Sequence, residues 1–210
     1  MNRRVLLIVL VLGCVVATVS AQEPGPTSNA GAAKVAVEGE SLPVKVTDIE
    51  GVEARLYRDG RVYVAGQPSE AALAKLKERG VTAVVNLRTP AEIVDPKQVP
   101  YDEAAAVAGL GLEYVHIPLG GKDFPYTTEA VDRFASVLNR HPGPVLLHCA
   151  VAWRASYVWA AYLIRHRGFT LDAALARGEA IGISTNPLEG LTGRQVKLVW
   201  EDAHTGPGTE

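Results

Sequence analysis

Cysteine is scarce in this chain, with two in 210 residues, Cys14 and Cys149. That excludes a disulfide framework of the kind small secreted domains use. Metal-ligand spacing is missing too. The five histidines are scattered, and none pairs with an acid or a cysteine at useful spacing, so no metal and no cofactor is expected. No excess of one charge exists: 21 basic and 23 acidic side chains give a formal net charge of -2. Without a basic patch, nucleic acid is not an expected partner. Internal repeats and signs of a second domain are also absent. What remains, 48% hydrophobic and 21% charged residues, is the composition of one globular domain with a real core.

The first residues read as a targeting segment. Asn2-Arg3-Arg4 is a short positive region, Val5 to Val16 is apolar but short for a spanning helix, and Val19-Ser20-Ala21 fits a small-residue cleavage site before Gln22. Residues 1–21 are therefore expected to be a signal peptide. They direct the mature chain to the periplasm or the exterior, with no membrane insertion after cleavage. Two other readings stay open: Val11-Leu12-Gly13-Cys14 loosely resembles a lipoprotein processing site with Cys14 as anchor, and the segment can remain uncleaved. Cleavage after Ala21 leaves Cys149 alone. A lone cysteine in an exported protein is either an inert buried hydrophobe or a reactive thiol, and no resolving partner supports a dithiol cycle.

Residues 22–42, rich in Gly, Ala, Pro, Ser and Glu, read as a flexible tether, and the domain is expected over residues 43–205. Asp59-Gly60 between apolar runs predicts a hairpin. Beyond it the chain alternates. Ser69 caps a helix to Arg79, and Val81–Leu87 reads as a strand buried on both faces. A short helix spans Asp102–Ala108 and a strand Leu112–Ile117. Thr127 or Thr128 starts a helix to Arg140, and a strand then ends at Cys149. A helix covers Arg154–Arg167, Thr170 caps another to Ala180, and Leu191–Ala203 closes the domain. Alternating strands and helices predict an α/β fold: a single parallel-rich sheet flanked by helices, with ligands at the carboxyl ends of its strands.

Cys149 sits at such an end, in Val145-Leu146-Leu147-His148-Cys149-Ala150-Val151-Ala152-Trp153-Arg154. A strand, a short loop and a helix N-terminus place backbone N–H groups and a dipole around one point, and Arg154 adds a two-pronged donor. A cysteine in that setting has a lowered pKa and is nucleophilic. The bland alternative is a buried cysteine and an arginine bridging a surface carboxylate.

The sequence resembles the cysteine-dependent phosphatase superfamily, and within it the bacterial beta-lactamase-hydrolase-like, phosphatase-like domain family, related to dual-specificity phosphatases. The carrying residues are Gly66-Gln67-Pro68-Ser69, Val84-Val85-Asn86-Leu87-Arg88, Tyr114-Val115-His116-Ile117-Pro118, and His148-Cys149 through Arg154. The resemblance implies hydrolysis of a phosphomonoester, small-molecule or protein-borne, through a phosphocysteine on Cys149. It implies that the amides of Ala150, Val151, Ala152, Trp153 and Arg154, with the Arg154 guanidinium, hold the phosphate oxygens, and that His148 orders the loop and supports the thiolate. It points to Asp123, on the loop after a strand, as general acid, with Asp95 and Asp102 as weaker rivals. Arg88 is a candidate for the rim, unless it pairs with Glu92.

Three departures from the pattern leave two alternatives open. The arginine falls at Cys149 plus five, one residue earlier than in tyrosine phosphatases. The six-residue loop is shared with rhodanese-type sulfurtransferases, which carry a persulfide. Ala152 stands where glycine is common, at a cost on the order of 1 kcal/mol if that position takes positive φ. Val151 and Trp153 make the mouth apolar, and Ser156 stands one place later than the family's hydroxyl. The alternatives are a sulfurtransferase using a Cys149 persulfide and a non-catalytic anion-binding pseudophosphatase. His116 reads as a core histidine, Gln67 as a weak rim candidate, and Trp159 and Tyr162 as core.

Overall fold

The computed structural model describes residues 41–183 and 188–194. The segments expected as signal peptide and, for the most part, as tether, and most of the helix expected over Leu191–Ala203, lie outside the described residues.

The described chain begins with β1 (Val44–Lys45), β2 (Leu56–Asp59) and β3 (Val62–Ala65), followed by α1 (Glu70–Glu78) and β4 (Ala83–Asn86). Next come α2 (Pro90–Ile93), α3 (Glu103–Gly109), β5 (Glu113–His116) and α4 (Thr128–Arg140). β6 (Val145–His148), α5 (Trp153–His166), α6 (Leu171–Ile181) and α7 (Leu188–Thr192) complete it. The six strands form one sheet in the order β1-β2-β3-β6-β4-β5. β3, β6, β4 and β5 run parallel, while β1 and β2 are antiparallel additions at one edge.

The apolar runs explain this arrangement. β3, β4 and β6 are buried at every position, because helices cover both faces of the sheet. Val62, Val64, Ala83, Val85, Val145 and Leu147 face the larger core, where Phe134, Val158 and Tyr162 pack. Tyr63, Ala65, Val84 and Leu146 face the smaller one with Leu73, Leu76 and Val107. The period of two thus persists inside an unbroken hydrophobic stretch. On the larger face Phe134 meets Trp159 and Tyr162 edge-on, and the latter two stack at 5.4 Å.

Helix ends follow the expected chemistry. The side chains of Ser69, Asp102 and Thr170 accept from backbone amides of α1, α3 and α6. Thr127 holds the N-cap of α4 without a side-chain bond. The hairpin turns where expected, with Gly60 at φ 57°. Its Asp59 does more than turn the chain. It is buried, accepts from Trp159 Nε1 at 2.8 Å and pairs with Arg177 at 2.7 Å, joining the hairpin to α5 and α6. The segment after β4 contains α2. Thr89 and Glu92 form a reciprocal capping box there, with proline at the first turn.

Gly66 links β3 to the segment after Cys149. Gln67 N donates to Ala150 O at 2.9 Å, and Gly66 bridges to Val151. A Cβ at Gly66 would stand 1.9 Å from Glu53 O and 2.9 Å from Ala150 O, both immovable backbone atoms. Gly66→Ala is therefore expected to lower stability by about 2 kcal/mol through forced backbone displacement, read as a lower urea midpoint with unchanged m-value.

Candidate active site

β6 is the central strand, and its parallel neighbours β3 and β4 bring Ala65, Asn86 and His148 level at their carboxyl ends. Cys149 follows immediately and is a free, buried thiol, with its amide donating to Ala65 O at 3.2 Å. The turn from strand to helix is completed at Ala152, the N-cap of α5, at φ 70° and ψ -5°. That is the left-handed region, so the glycine-favouring conformation is present and the alanine carries a strain of about 1–2 kcal/mol. Its side chain is fully buried in the larger core, which opposes the strain. Among the described residues, the amides of Ala150 and Val151 donate to no backbone carbonyl.

Arg154, in the first turn of α5, is the best-anchored charge in the region. Nη1 donates to Glu92 Oε2 at 2.8 Å and Leu119 O at 2.8 Å, with a longer contact to Leu87 O at 3.4 Å; Nη2 donates to Glu92 Oε1 at 2.6 Å. Glu92 thereby grips the end of the guanidinium with both oxygens. A guanidinium has five N–H groups in a fixed fork. Here the Nε–H and the second Nη2–H have no partner among the described residues. Burial disfavours the Arg154 charge, but the Glu92 hydrogen bonds and then the charge of the nearby Cys149 sulfur outweigh it, and the pKa lies above its ordinary value. Glu92 answers in kind. Burial pushes its pKa up, yet bonds from Arg154 and from the Thr89 amide prevail and bring it to about 2.

His148 is fully buried, with Nε2 2.7 Å from Glu103 Oε1 of α3. The contact lies off the ideal hydrogen-bond direction, so neither ring nitrogen of His148 nor Glu103 Oε1 has a hydrogen-bond partner among the described residues. Glu103 Oε2 accepts from Gln67 Nε2 at 2.8 Å and from Asn86 Nδ2 at 3.2 Å. Burial raises the Glu103 pKa, but His148, by charge and contact, leads the groups that bring it below the ordinary value.

The remaining candidates fall in distinct places. Arg88 is buried, donating to Gln67 Oε1 at 3.3 Å and Gln98 Oε1 at 2.5 Å; Glu92 is 3.9 Å away and engages Arg154 more closely. Asp123 lies exposed on the loop after β5, which is pinched by Gly120 N donating to Phe124 O at 2.6 Å. Leu119, at the base of that loop, is the residue whose carbonyl holds Arg154. Its rivals have other work: Asp102 caps α3, and Asp95 accepts from Lys97 N and Gln98 Nε2. His116 Nε2 contacts Arg88 O at 2.7 Å, a satisfied structural histidine. Ser156 Oγ donates back to Trp153 O at 2.8 Å. Trp153 is half-buried and meets Tyr157 edge-on at 5.2 Å. A cavity of about 730 Å³ opens beside Ala150 and Val151, walled by Gln67, Arg88, Gln98 and Tyr101.

Glu92, Glu103 and Tyr126 are site residues that sequence reasoning passed over. Tyr126 is close enough to Cys149 and Arg154 to feel both; burial is the main cause of its raised pKa. Thr89-Pro90-Ala91-Glu92 is a capping-box pattern that announces α2, and Glu103 shares a helical face with buried Val107, four residues on.

A central parallel strand ending in His-Cys, a left-handed turn and a helix-borne arginine fixed by a carboxylate define an α/β protein of the cysteine-phosphatase superfamily. The model of the family described as DSP-PTPase phosphatase fused to NAD+ kinase (PTP-NADK) matches residues 41–191, and the chain belongs to that family. Among solved structures, the active form of Tk-PTP is 28% identical, with a TM-score of 0.52 over 65% of this chain and 95% of that one. The DUF442 protein of Shewanella putrefaciens CN-32 is 23% identical, with a TM-score of 0.51 over 68% of this chain and 91% of that one. PTPMT1 is 19% identical, with a TM-score of 0.54 over 66% and 92%. No curated protein matches the chain.

The Glu92 shift fixes a pH dependence. Its folded pKa of about 2 lies below the ordinary 4.5, so its contribution to stability is complete above 4.5 and is lost as pH falls from there through about 2. Glu113, held by Arg140 and His141, follows the same course. The urea midpoint is expected to fall across that window in the wild type and to fall less steeply in Glu92→Gln.

Proposed function

We propose that the protein hydrolyses phosphomonoesters through a phosphocysteine on Cys149. The observation that carries this reading is the half-used guanidinium of Arg154. Glu92 and the Leu119 carbonyl hold one side of it, and the Nε–H and second Nη2–H are left as two parallel donors on a guanidinium close enough to Cys149 to feel its charge. Two such donors match two oxygens of a phosphoryl group. In this reading the amides of Ala150–Arg154 complete the cradle, and the α5 N-terminus adds positive potential. The Cys149 thiolate attacks phosphorus and the bond to the leaving oxygen breaks. Asp123 gives that oxygen its proton, after its loop has brought it over the site. Water then attacks the thiophosphate, Asp123 takes a proton from it, and inorganic phosphate and the thiolate are released. The cavity beside Val151 receives the leaving group. PTPMT1 in its complex with PI(5)P shares the fold at 18% identity and a TM-score of 0.52, so a polyol leaving group belongs in the test.

The test is release of phosphate from aryl, sugar and inositol phosphates by wild type, Cys149→Ser and Arg154→Lys. Cys149→Ser is expected to abolish release. Arg154→Lys, which keeps the charge and loses the fork, is expected to lower kcat by about 10²- to 10³-fold. Release that survives Cys149→Ser refutes the reading. Thiocyanate formed from thiosulfate and cyanide, dependent on Cys149, would install the sulfurtransferase in its place. Phosphate binding that depends on Arg154 without any turnover would leave an anion-binding pseudophosphatase.

We further propose that the domain acts outside the cytoplasm, on the strength of Arg3-Arg4, the apolar stretch to Val16 and the small residues before Gln22. Protein recovered from a bacterial host expressing the full chain is expected to begin at Gln22 by intact mass. A chain that keeps residues 1–21 and fractionates with the cytosol would overturn it.

A further inference from the structure

We infer that Arg88 and Lys97 form a second anion subsite on the wall of the cavity beside Val151. The ligands held most tightly are then phosphomonoesters whose leaving group carries a second anionic group close to the first. The inference rests on the Cys149 loop being the phosphate site, but its readout is binding and needs no turnover.

One carboxylate stands between two guanidiniums. Glu92 Oε1 lies 2.6 Å from Arg154 Nη2 and 3.9 Å from Arg88 Nη2. Both Glu92 oxygens are given to Arg154, and Oε2 also accepts from the amide and hydroxyl of Thr89. Arg88 is left without a carboxylate of its own. It is 2% exposed, and the acceptors it touches are neutral: Gln67 Oε1 at 3.3 Å and Gln98 Oε1 at 2.5 Å. Its Nε meets no acceptor among the described residues, and one hydrogen on each Nη is also unclaimed there. A buried cation served by neutral groups is incompletely compensated. Glu103 and Asp95 feel Arg88 from beyond ion-pair distance. Each is engaged elsewhere, Glu103 by His148, Gln67 and Asn86, and Asp95 by Lys97 N and Gln98 Nε2.

The cavity of about 730 Å³ makes this charge available to a ligand. Arg88, Lys97 and Gln98 line it together with Ala150 and Val151 of the cysteine loop. Lys97 is exposed, and its ammonium has no partner among the described residues. A phosphate in the cysteine loop and an anion against Arg88 therefore share one cavity. The spacing is short, because the Nη2 atoms of Arg154 and Arg88 flank the same Glu92 oxygen. Neighbouring substituents of a polyol ring match it. Glu53 and Glu70 also line the cavity and are exposed. They repel an anion that reaches them, which confines the favourable position to the wall with Arg88 and Lys97.

The test is calorimetric binding of two probes, inositol 4-phosphate and inositol 4,5-bisphosphate, to Cys149→Ser. The bisphosphate is expected to bind about tenfold more tightly. Adding Arg88→Gln is expected to bring that ratio to about one, and adding Lys97→Gln, on the exposed rim, to reduce it about threefold. Lys77→Gln removes an exposed cation from α1, outside the cavity, and controls for general charge attraction; the ratio is expected to stay as it was. Failure of the bisphosphate to bind, equal binding of the two probes, or a ratio that falls as far in Lys77→Gln as in the cavity variants overturns the inference. Should Arg88→Gln fail to fold, the ratio in Cys149→Ser and its response to Lys97→Gln decide, and a ratio unmoved by Lys97→Gln counts against the subsite. Phosphate release by the wild type alongside equal binding removes the subsite and keeps the phosphatase. A preference for the bisphosphate that depends on Arg88, without any turnover, keeps the subsite and removes the phosphatase.

Discussion

The grip of Glu92 on Arg154 ties together segments that are otherwise far apart in sequence. α2 supplies the carboxylate, the β5–α4 loop supplies the Leu119 carbonyl, the end of β4 supplies the Leu87 carbonyl, and α5 supplies the guanidinium. Each is a loop or helix end at the carboxyl edge of a parallel sheet, where backbone groups run out of ladder partners. An arginine with five donors collects several of those loose ends at once. The contact is charged, largely out of water and bidentate, the geometry in which an ion pair fixes orientation more surely than it adds stability. Its consequence is geometric: a guanidinium held on one edge presents the other edge in a fixed direction.

The strand beneath it is equally constrained. β6 lies between two parallel neighbours and under helices on both sides, so its end is the least movable point of the sheet. From there the chain must reverse into α5 within four residues, Cys149 to Ala152, without losing the core. Gly66 allows the close approach on one side, and the left-handed turn at Ala152 provides the reversal on the other. The alanine is strained in φ and well packed in its methyl. A conformation that costs energy at a strand-to-helix junction, held by burial on every side, is typical of a loop whose shape matters more than its stability.

Much of this was readable in the residues. The strand–loop–helix order around Cys149 and the two-sided burial of Val81–Leu87 follow from local pattern, because periodicity and turn chemistry are properties of neighbours in sequence; the positive φ at Ala152 is raised only as a condition, by the glycine common there in the family the sequence resembles. What escaped was the set of partners. The sequence offers Glu92 only as an alternative partner for Arg88; the structure gives it chiefly to Arg154, sixty-two positions away. Nothing in its neighbours sets Glu103 apart from an ordinary acid in the first turn of a helix. Only the fold shows that its face is turned inward to meet His148. Asp59 read as a turn residue and is also a buried anchor for Trp159 and Arg177. A charged side chain carries no period of its own, so its partner is known only once the elements are assembled.

In the proposed reaction one loop has two tasks, helping to hold Arg154 and bringing Asp123 to the leaving group. Leu119 O receives Arg154 at the base of the loop, the Gly120–Phe124 pinch closes that base, and Asp123 stands beyond it in solvent. The half of the site that must hold charge in a fixed direction is built from strand ends and a guanidinium locked by a carboxylate. The half that in the proposed reaction delivers a proton is an exposed tip anchored to that same guanidinium. Repositioning the tip therefore leaves the cradle undisturbed, while disturbing Arg154 unsettles both. In the proposed reaction the two parts answer two demands that a single rigid loop cannot meet together: preorganised charge at the sulfur, and room for a leaving group to enter and depart.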